Sequence, residues 1–353
     1  MRFVNKIDSL PINILSALSL GKADFFCSLD WFDNFIKTVV EVDGLDVKYF
    51  HANDDTNILI PAIVFRDGIF RKIKSLSNYY SPIFTIFFSE KLPSTNDLVH
   101  FFIGFKNARD WDVMDLKPLS YEESIYIKLC ADRAGLFAFR YHCFVNWYLN
   151  INNRLYSDYY LSLPSRLRNI IKRKSKKFFE IEGARIDIVT TEQEFYQGLA
   201  AYHEVYEASW KVLEPYPDFM SGLIRLGISN GMGRLGIAYI ASKAVAVQYW
   251  IVSNNTAYIY KLAYDEAYKK QSVGTVLTAK MMEFVIDIDK VNIVDFLTGD
   301  DKYKEDWMNN KQDRFGVILF NPATLFGLVG GIGEKLKQYV KKYMNFFNKN
   351  ILA

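Results

Sequence analysis

The chain has 353 residues, enough for two domains of ordinary size, and half of them are hydrophobic, so a substantial core is available. A formal net charge of +3 gives no general case for nucleic-acid binding. Cys27, Cys130 and Cys143 show neither metal-ligand spacing nor an even-numbered disulfide framework, which points to free thiols in a reducing compartment and to no metal. Met1 to Leu20 lacks the apolar run of a signal peptide, and no window carries the roughly 18 apolar residues of a membrane span. The expected location is the cytoplasm.

The first half reads as an α/β unit. Ser28 or Asp30 caps a helix that runs toward Phe35. Short strands follow at Val47–His51, Thr56–Phe65 and Gly68–Ile73, separated by the turns Asn53-Asp54-Asp55 and Asp67-Gly68. The aromatic stretch Leu76 to Pro82 reads as a loop. Asn96 to Lys106 has helical spacing, Asp110 to Leu116 alternates as a strand, Tyr121 to Gly135 is a helix ended by its glycine, and Leu136 to Asn146 is another strand.

Pro164 and Ser165 then open a helix with a basic run, Arg166 to Lys177, that contains no acid. A solvated face, a site for an anionic ligand and a nucleic-acid contact are all open readings of it. Arg185 to Thr190 is a strand. Thr190 or Thr191 caps the helix Glu192 to Lys211, where His203, Glu207 and Trp210-Lys211 lie near one face. His203 is the histidine best suited to take a proton near pH 7. Phe219 to Asn230 is a helix. Arg234–Ser242, Ala244–Ser253 and Thr256–Ala263 form an antiparallel meander with tight turns, and Gln248 falls in its middle strand.

The stretch from Thr256 to Trp307 carries the most chemistry. Its strand places Tyr258, Tyr260 and Leu262 on one face, with Ala257, Ile259 and Lys261 on the other. After a polar loop, Ser272-Val273-Gly274-Thr275 opens a helix whose apolar positions are Val273, Val276, Leu277, Met281, Phe284 and Ile288. A helix start offers unpaired N–H groups and a positive dipole end, Gly274 allows close approach to the backbone, and Lys269 and Lys270 add charge, so this junction is suited to phosphate. A strand from Val291 to Leu297 follows, ending in Thr298-Gly299-Asp300.

Gln271-Ser272-Val273-Gly274-Thr275-Val276 resembles the pyrophosphate loop of the GNAT acyltransferase superfamily. Together with Tyr264-Asp265, Asp295-Phe296, Gly299-Asp300, Tyr303-Lys304 and Trp307 it resembles the acetyltransferase domain of CelD/BcsL-type proteins, relatives of the Fem-type aminoacyl transferases. The resemblance covers about Leu163 to Phe320 well and the first half loosely. It implies tandem GNAT-like units of α+β type, each a mostly antiparallel twisted sheet flanked by helices, with the cofactor loop in the second. The domains expected are 1–155, a degenerate unit; 156–322, the acyltransferase unit; and 323–353, an amphipathic helical tail.

The resemblance also implies acetyl-CoA or another acyl-CoA as donor, held by Lys270, Gln271, Ser272, Val273, Gly274 and Thr275. It implies a sugar-nucleotide or polysaccharide precursor as acceptor, near His203, Trp210, Gln248, Tyr260 and Lys304. Acyl transfer needs a neutral amine, an oriented thioester and an oxyanion donor. GNAT folds splay two strands to admit the thioester, here those ending near Leu262 and starting at Val291. Asp295, at mid-strand, and Asp300, at the strand's end, are the candidate bases, with a salt bridge to Lys302 or Lys304 the competing role for the edge carboxylate. Tyr303 is a candidate donor to the leaving thiolate. Two other classes stay open: an aminoacyl-tRNA-dependent transferase, the one reading in which a nucleic acid is a partner, and a binding protein that kept the fold. The tail sets Leu336, Tyr339, Val340, Tyr343 and Phe347 against Lys335, Lys337, Lys341, Lys342 and Lys349, which suits either packing on the body or peripheral contact with an anionic membrane face.

Overall fold

The computed structural model describes residues 1–52, 58–88 and 92–351, with side chains in the last helix up to 341 and at Met344. Its strands are β1 (Arg2–Val4), β2 (Asp46–His51), β3 (Leu59–Asp67), β4 (Phe70–Ser75), β5 (Val113–Leu119), β6 (Phe137–Asn150), β7 (Arg185–Val189), β8 (Gly233–Ile240), β9 (Lys243–Ser253), β10 (Thr256–Tyr264), β11 (Ile293–Thr298) and β12 (Asn310–Phe320). The α-helices are α1 (Ile12–Ala17), α2 (Leu29–Phe35), α3 (Thr95–Ala108), α4 (Tyr121–Arg133), α5 (Tyr156–Ser162), α6 (Ser165–Phe179), α7 (Glu192–Glu207), α8 (Pro217–Ser229), α9 (Val273–Glu283), α10 (Lys302–Glu305) and α11 (Leu325–Ile351).

One order of elements occurs twice. β1, two helices, the meander β2-β3-β4, α3, β5, α4 and β6 are matched by β7, α7 and α8, the meander β8-β9-β10, α9, β11, α10 and β12. In each copy the third meander strand lies parallel to the strand after the next helix: β4 beside β5, and β10 beside β11. By contacts the chain divides into Met1–Phe32, Val40–Cys143 and Asp313–Ala353 as one unit, and Asp33–Val39 with Phe144–Gln312 as the other. The closing strands are thus exchanged. Phe315 to Phe320 of β12 pairs with β5, and Asn146 to Asn150 of β6 pairs with β11.

In the first unit β1 to β5 follow one another across the sheet, with β12 next to β5. Helix α3 forms because Ser94 caps it and Leu98, Phe101, Phe102 and Phe105 repeat at helical spacing on its buried face. Ser120 and Glu123 close a capping box on α4, and Gly135, at φ +81°, takes the left-handed position that ends it. These helices bury Phe102, Phe105 and Ile127 against Ile60, Met114 and Leu116.

In the second unit the order from the later half of β6 is β11-β10-β9-β8-β7. Alternation along β9 sorts the layers. Gln248 bonds to α9, and Trp250 bonds to Gln248 on the same face. Tyr249, between them, reaches the Leu223 carbonyl of α8 on the other face. Leu167 and Ile171 of α6 and Val276, Leu277 and Met281 of α9 share one core with Trp250 and Ile259.

The structure departs from the sequence reading at several points. The first departure is in β10, where the alternation breaks: the register with β9 shifts between Ile259 and Lys261, so Tyr260 is a bulge. Beyond it the parity reverses. Ala257, Ile259, Leu262 and Tyr264 pack with the α9 core, while Lys261 pairs with Glu214. Helix α9 passes into a π-helical turn, Phe284–Ile288, which rotates the following side chains. Val285 and Ile286 are buried there, and Ile288 faces solvent. Helix α7 ends at Glu207, four residues early, because the Ser209 hydroxyl donates back to the Tyr206 carbonyl and Pro215 lies ahead. Trp210 and Lys211 are therefore loop residues. β1 and β12 had no counterpart in the sequence reading. The Asn53-Asp54-Asp55 turn and Thr56 lie outside the described residues, as do the side chains of Lys342, Tyr343, Phe347 and Lys349.

Candidate active site

β10 and β11 pair for three residues, Thr256, Ala257 and Tyr258 against Ile293, Val294 and Asp295, and the ladder then stops. Both strands continue, β10 to Tyr264 and β11 to Thr298, so a fork opens immediately before the Tyr260 bulge. A bulge adds one residue on one side and bends the strand, which is the local cause of the divergence.

β10 leads through a 3₁₀ turn, Glu266–Gln271, to α9. Asp265 holds this turn by accepting from the Ala267 N–H at 2.9 Å and pairing with Lys243 at 2.7 Å. Burial would raise the Asp265 carboxyl, but these two donors outweigh it and leave it below the usual range. Ser272 is left-handed, at φ +58°, and makes no side-chain cap. The first intrahelical bond runs from Val276 N–H to the Ser272 carbonyl at 3.1 Å. The amides of Val273, Gly274 and Thr275 therefore start the helix without an intrahelical partner, and no acid stands in the first turn. A Cβ on Gly274 would lie 3.3 Å from the Tyr264 ring, so glycine lets that ring pack close to the first turn.

The surroundings brace this junction and charge it. Gln248, fully buried, donates to the Gly274 carbonyl at 3.1 Å and to Thr278 Oγ1 at 2.7 Å, and accepts from Trp250 Nε1 at 3.0 Å. It ties the first turn of α9 to the sheet rather than facing a cleft. Lys174 of α6 donates to the Lys270 carbonyl, so the basic helix borders the loop. Lys270 itself is exposed, and Gln271 Oε1 is buried without a hydrogen-bond partner. Three open amides, a glycine among them, and two neighbouring lysines suit a pyrophosphate.

The loop after α7 carries Trp210 against Tyr264, ring centroids 4.5 Å apart. Lys211 Nζ lies 5.8 Å from the Tyr206 ring and 5.9 Å from Trp210. Glu214 accepts from Tyr206 Oη at 2.6 Å and from Lys261. Desolvation, followed by the charge of Lys261, pulls the Lys211 ammonium down to about 8. His203 is half-buried and meets Ser221 Oγ at 3.1 Å, linking α7 to α8. Sequence reasoning missed Lys261 and Glu214, and it placed Lys211 on a helix.

At the end of β11, Asp295 is buried, accepts from Leu297 N–H at 2.6 Å and lies 3.4 Å from Asn146 Nδ2. Asp300 is paired with Lys311 at 2.9 Å and accepts from Trp147 Nε1 at 2.8 Å. Both donors hold its carboxyl below the usual range, Lys311 most, which makes it a weak base. Lys304 is only 4% exposed and its ammonium is directed at three carbonyls, of Phe296, Thr298 and Gly299. Gly299, at φ +114°, has no Cβ to crowd Lys304 Nζ, 3.3 Å from where one would stand. Desolvation lowers Lys304 and raises the Tyr303 hydroxyl, whose ring sits edge-on to Phe296. Among the described residues no cluster of His, Cys, Asp and Glu suits a metal ion.

Residues 165–305 match the family model described as an acetyltransferase (GNAT) domain. Residues 165–305, about two fifths of the chain, thus carry a GNAT-type domain. The crystal structure of FemX superposes with a TM-score of 0.59 at 8% identity, covering 91% of this chain and 97% of that one. A conserved protein of unknown function from Bacteroides thetaiotaomicron superposes with a TM-score of 0.58 at 11% identity, covering 90% and 99%. No curated protein matches the sequence. The fold is that of a GNAT acyltransferase.

Proposed function

We propose that the second unit transfers an acyl group from acyl-CoA, with acetyl-CoA the expected donor, to an amine on a sugar-nucleotide or surface-polysaccharide precursor. The observation that supports this most is the open start of α9 beside the fork between β10 and β11. The amides of Val273, Gly274 and Thr275 bind the pyrophosphate, with Lys174 and Lys270 balancing its charge. Bound acyl-CoA supplies the thioester carbonyl. Beyond Tyr258 the free edge of β10 receives the amide-bearing arm as an added strand and offers N–H groups to the developing oxyanion. The neutral amine attacks, a C–N bond forms, the C–S bond breaks, and the amine proton must leave. Lys211 is our choice for its acceptor, because its ammonium is held near 8 while Asp300 is held ionised by Lys311. Trp210 and Tyr260 contact the acceptor. Lys304 and Asp295 keep the β11 side of the fork in shape.

A second reading, an aminoacyl-tRNA-dependent transferase, draws on the outward face of α6, where Arg166, Lys172 and Arg173 stand exposed. A thermal shift separates the two. Acetyl-CoA at about 100 times its Kd adds about 2.7 kcal/mol of stability and raises the melting point at low and high salt alike. A response to tRNA alone, steeply weakened by salt, favours the second reading. Silence toward both leaves a binding protein that kept the fold and sinks the proposal.

A further inference from the structure

The last helix, α11, is seated the unusual way round. Three of its four glycines, Gly327, Gly330 and Gly331, face the body of its unit, and Gly333 is exposed. A Cβ on Gly331 would stand 2.2 Å from the Phe137 ring, one on Gly327 would stand 2.1 Å from the Asn321 carbonyl, and one on Gly330 would stand 2.8 Å from Phe320. The large apolar side chains point outward: Leu325, Val329, Ile332, Leu336, Tyr339 and Val340 are between 46% and 70% exposed. At about 100° per residue they fall within an arc of about 100°, opposite Gly327, Gly330 and Gly331. Lys335 borders that arc on one side and Lys337 on the other, with Lys341 beyond it.

An outward apolar stripe of this kind is a binding surface unless something covers it. Residues 325–353 contain five lysines and one glutamate, and Glu334 is already 3.4 Å from Lys337. A second copy of the stripe would bring lysine borders against lysine borders, whereas an anionic bilayer complements them. No described helix is long and apolar enough to cross a membrane, so the contact is in the plane of the surface.

We infer that α11 docks the protein on an anionic membrane surface, its apolar stripe entering the headgroup boundary and its lysines meeting lipid phosphates. The test is flotation of the full chain with vesicles of phosphatidylcholine, with and without about 30 mol % phosphatidylglycerol. Binding is expected to the anionic vesicles and to weaken at high salt, where screening shortens the reach of the lysines. Leu336→Glu with Val340→Glu should lower it at least tenfold, and Lys335→Gln, Lys337→Gln and Lys341→Gln together by roughly 100-fold, at about fivefold per charge removed. Both sets are exposed, so the melting point should stay within a few degrees and loss of binding is not loss of fold. Absence of binding at low salt, equal binding to both vesicle types, or binding indifferent to Leu336→Glu would overturn the inference. So would self-association abolished by Leu336→Glu, which would make a second copy the occupant.

Discussion

The two repeats share their order of elements but differ at one place, the passage from the third meander strand to the following helix. In the second copy the passage is short, 265–272, and α9 begins with open amides. In the first copy it is long, 76–94, and α3 is closed by its own residues. Ser94 Oγ accepts from the Asp97 N–H at 3.2 Å and donates to the Asp97 carboxylate at 2.6 Å. That carboxylate, in the first turn, would repel a phosphate. The fork differs likewise. Between β10 and β11 it is left without a ladder, but beside β5 it is filled: Ser75 and Ser77 donate to the Lys117 carbonyl, and Phe84 N–H donates to the Pro118 carbonyl. One copy has spent its helix start and strand edge on its own stability; the other keeps both available.

The largest expected effect comes from filling the open site. Gly274→Leu puts a branched side chain where a Cβ already stands 3.3 Å from Tyr264, and it should weaken acetyl-CoA binding at least 100-fold and abolish the thermal shift. Ser94→Ala in the first copy should leave that shift intact and cost about 1 kcal/mol of stability. Equal loss of binding in both variants would break the comparison.

The first copy should instead fail through its structural carboxylate. Asp112 is fully buried and accepts from Arg71 Nη2 at 2.7 Å, Nε at 3.1 Å and the Arg71 N–H at 2.8 Å. Burial alone would raise this carboxyl; the Arg71 donors outweigh it and hold it at about 2. A depressed carboxylate stabilises above its unfolded pKa of about 3.9, and the benefit, about 2 kcal/mol, disappears as pH falls from about 4 to about 2. Asp112→Asn should cost about 3 kcal/mol in urea denaturation at neutral pH, by leaving Arg71 without its counter-charge, and should leave acetyl-CoA affinity unchanged.

How much of this was legible depended on whether local pattern carried it. The α9 junction was, because glycine, small residues and lysines in that order express a backbone need directly. The basic helix was visible too, but not that Lys174 reaches the Lys270 carbonyl, a contact across distant sequence. The Tyr260 bulge was not visible, because β10 is apolar or aromatic at most positions and its parity can shift by one without a change in composition. That shift alone assigned Lys261 to the wrong set of neighbours. The resemblance put Gln248 among the acceptor contacts. Its partners, Gly274, Thr278 and Trp250, show a brace instead.

Lys211 gives the sharpest test of the acceptor side, with the smallest effect. Sequence alone placed it at the end of a helix, and an ordinary lysine ammonium titrates near 10.4. In the loop it is desolvated beside Lys261 and drops to about 8. The unfolded chain then binds more protons than the folded one between about pH 8 and pH 10, so stability rises with pH across that window as the cost of the buried charge is relieved. Lys211→Met should therefore stabilise by about 1 kcal/mol below pH 8, after allowance for solvent screening, and by almost nothing above pH 10. In turnover the sign is opposite. If Lys211 takes the amine proton, the rate should climb through about pH 8, and Lys211→Met should lower it roughly tenfold and flatten that limb. A variant that gains the stability but keeps the limb would make Lys211 a buried charge and nothing more, and the acceptor's proton would have to leave by another route.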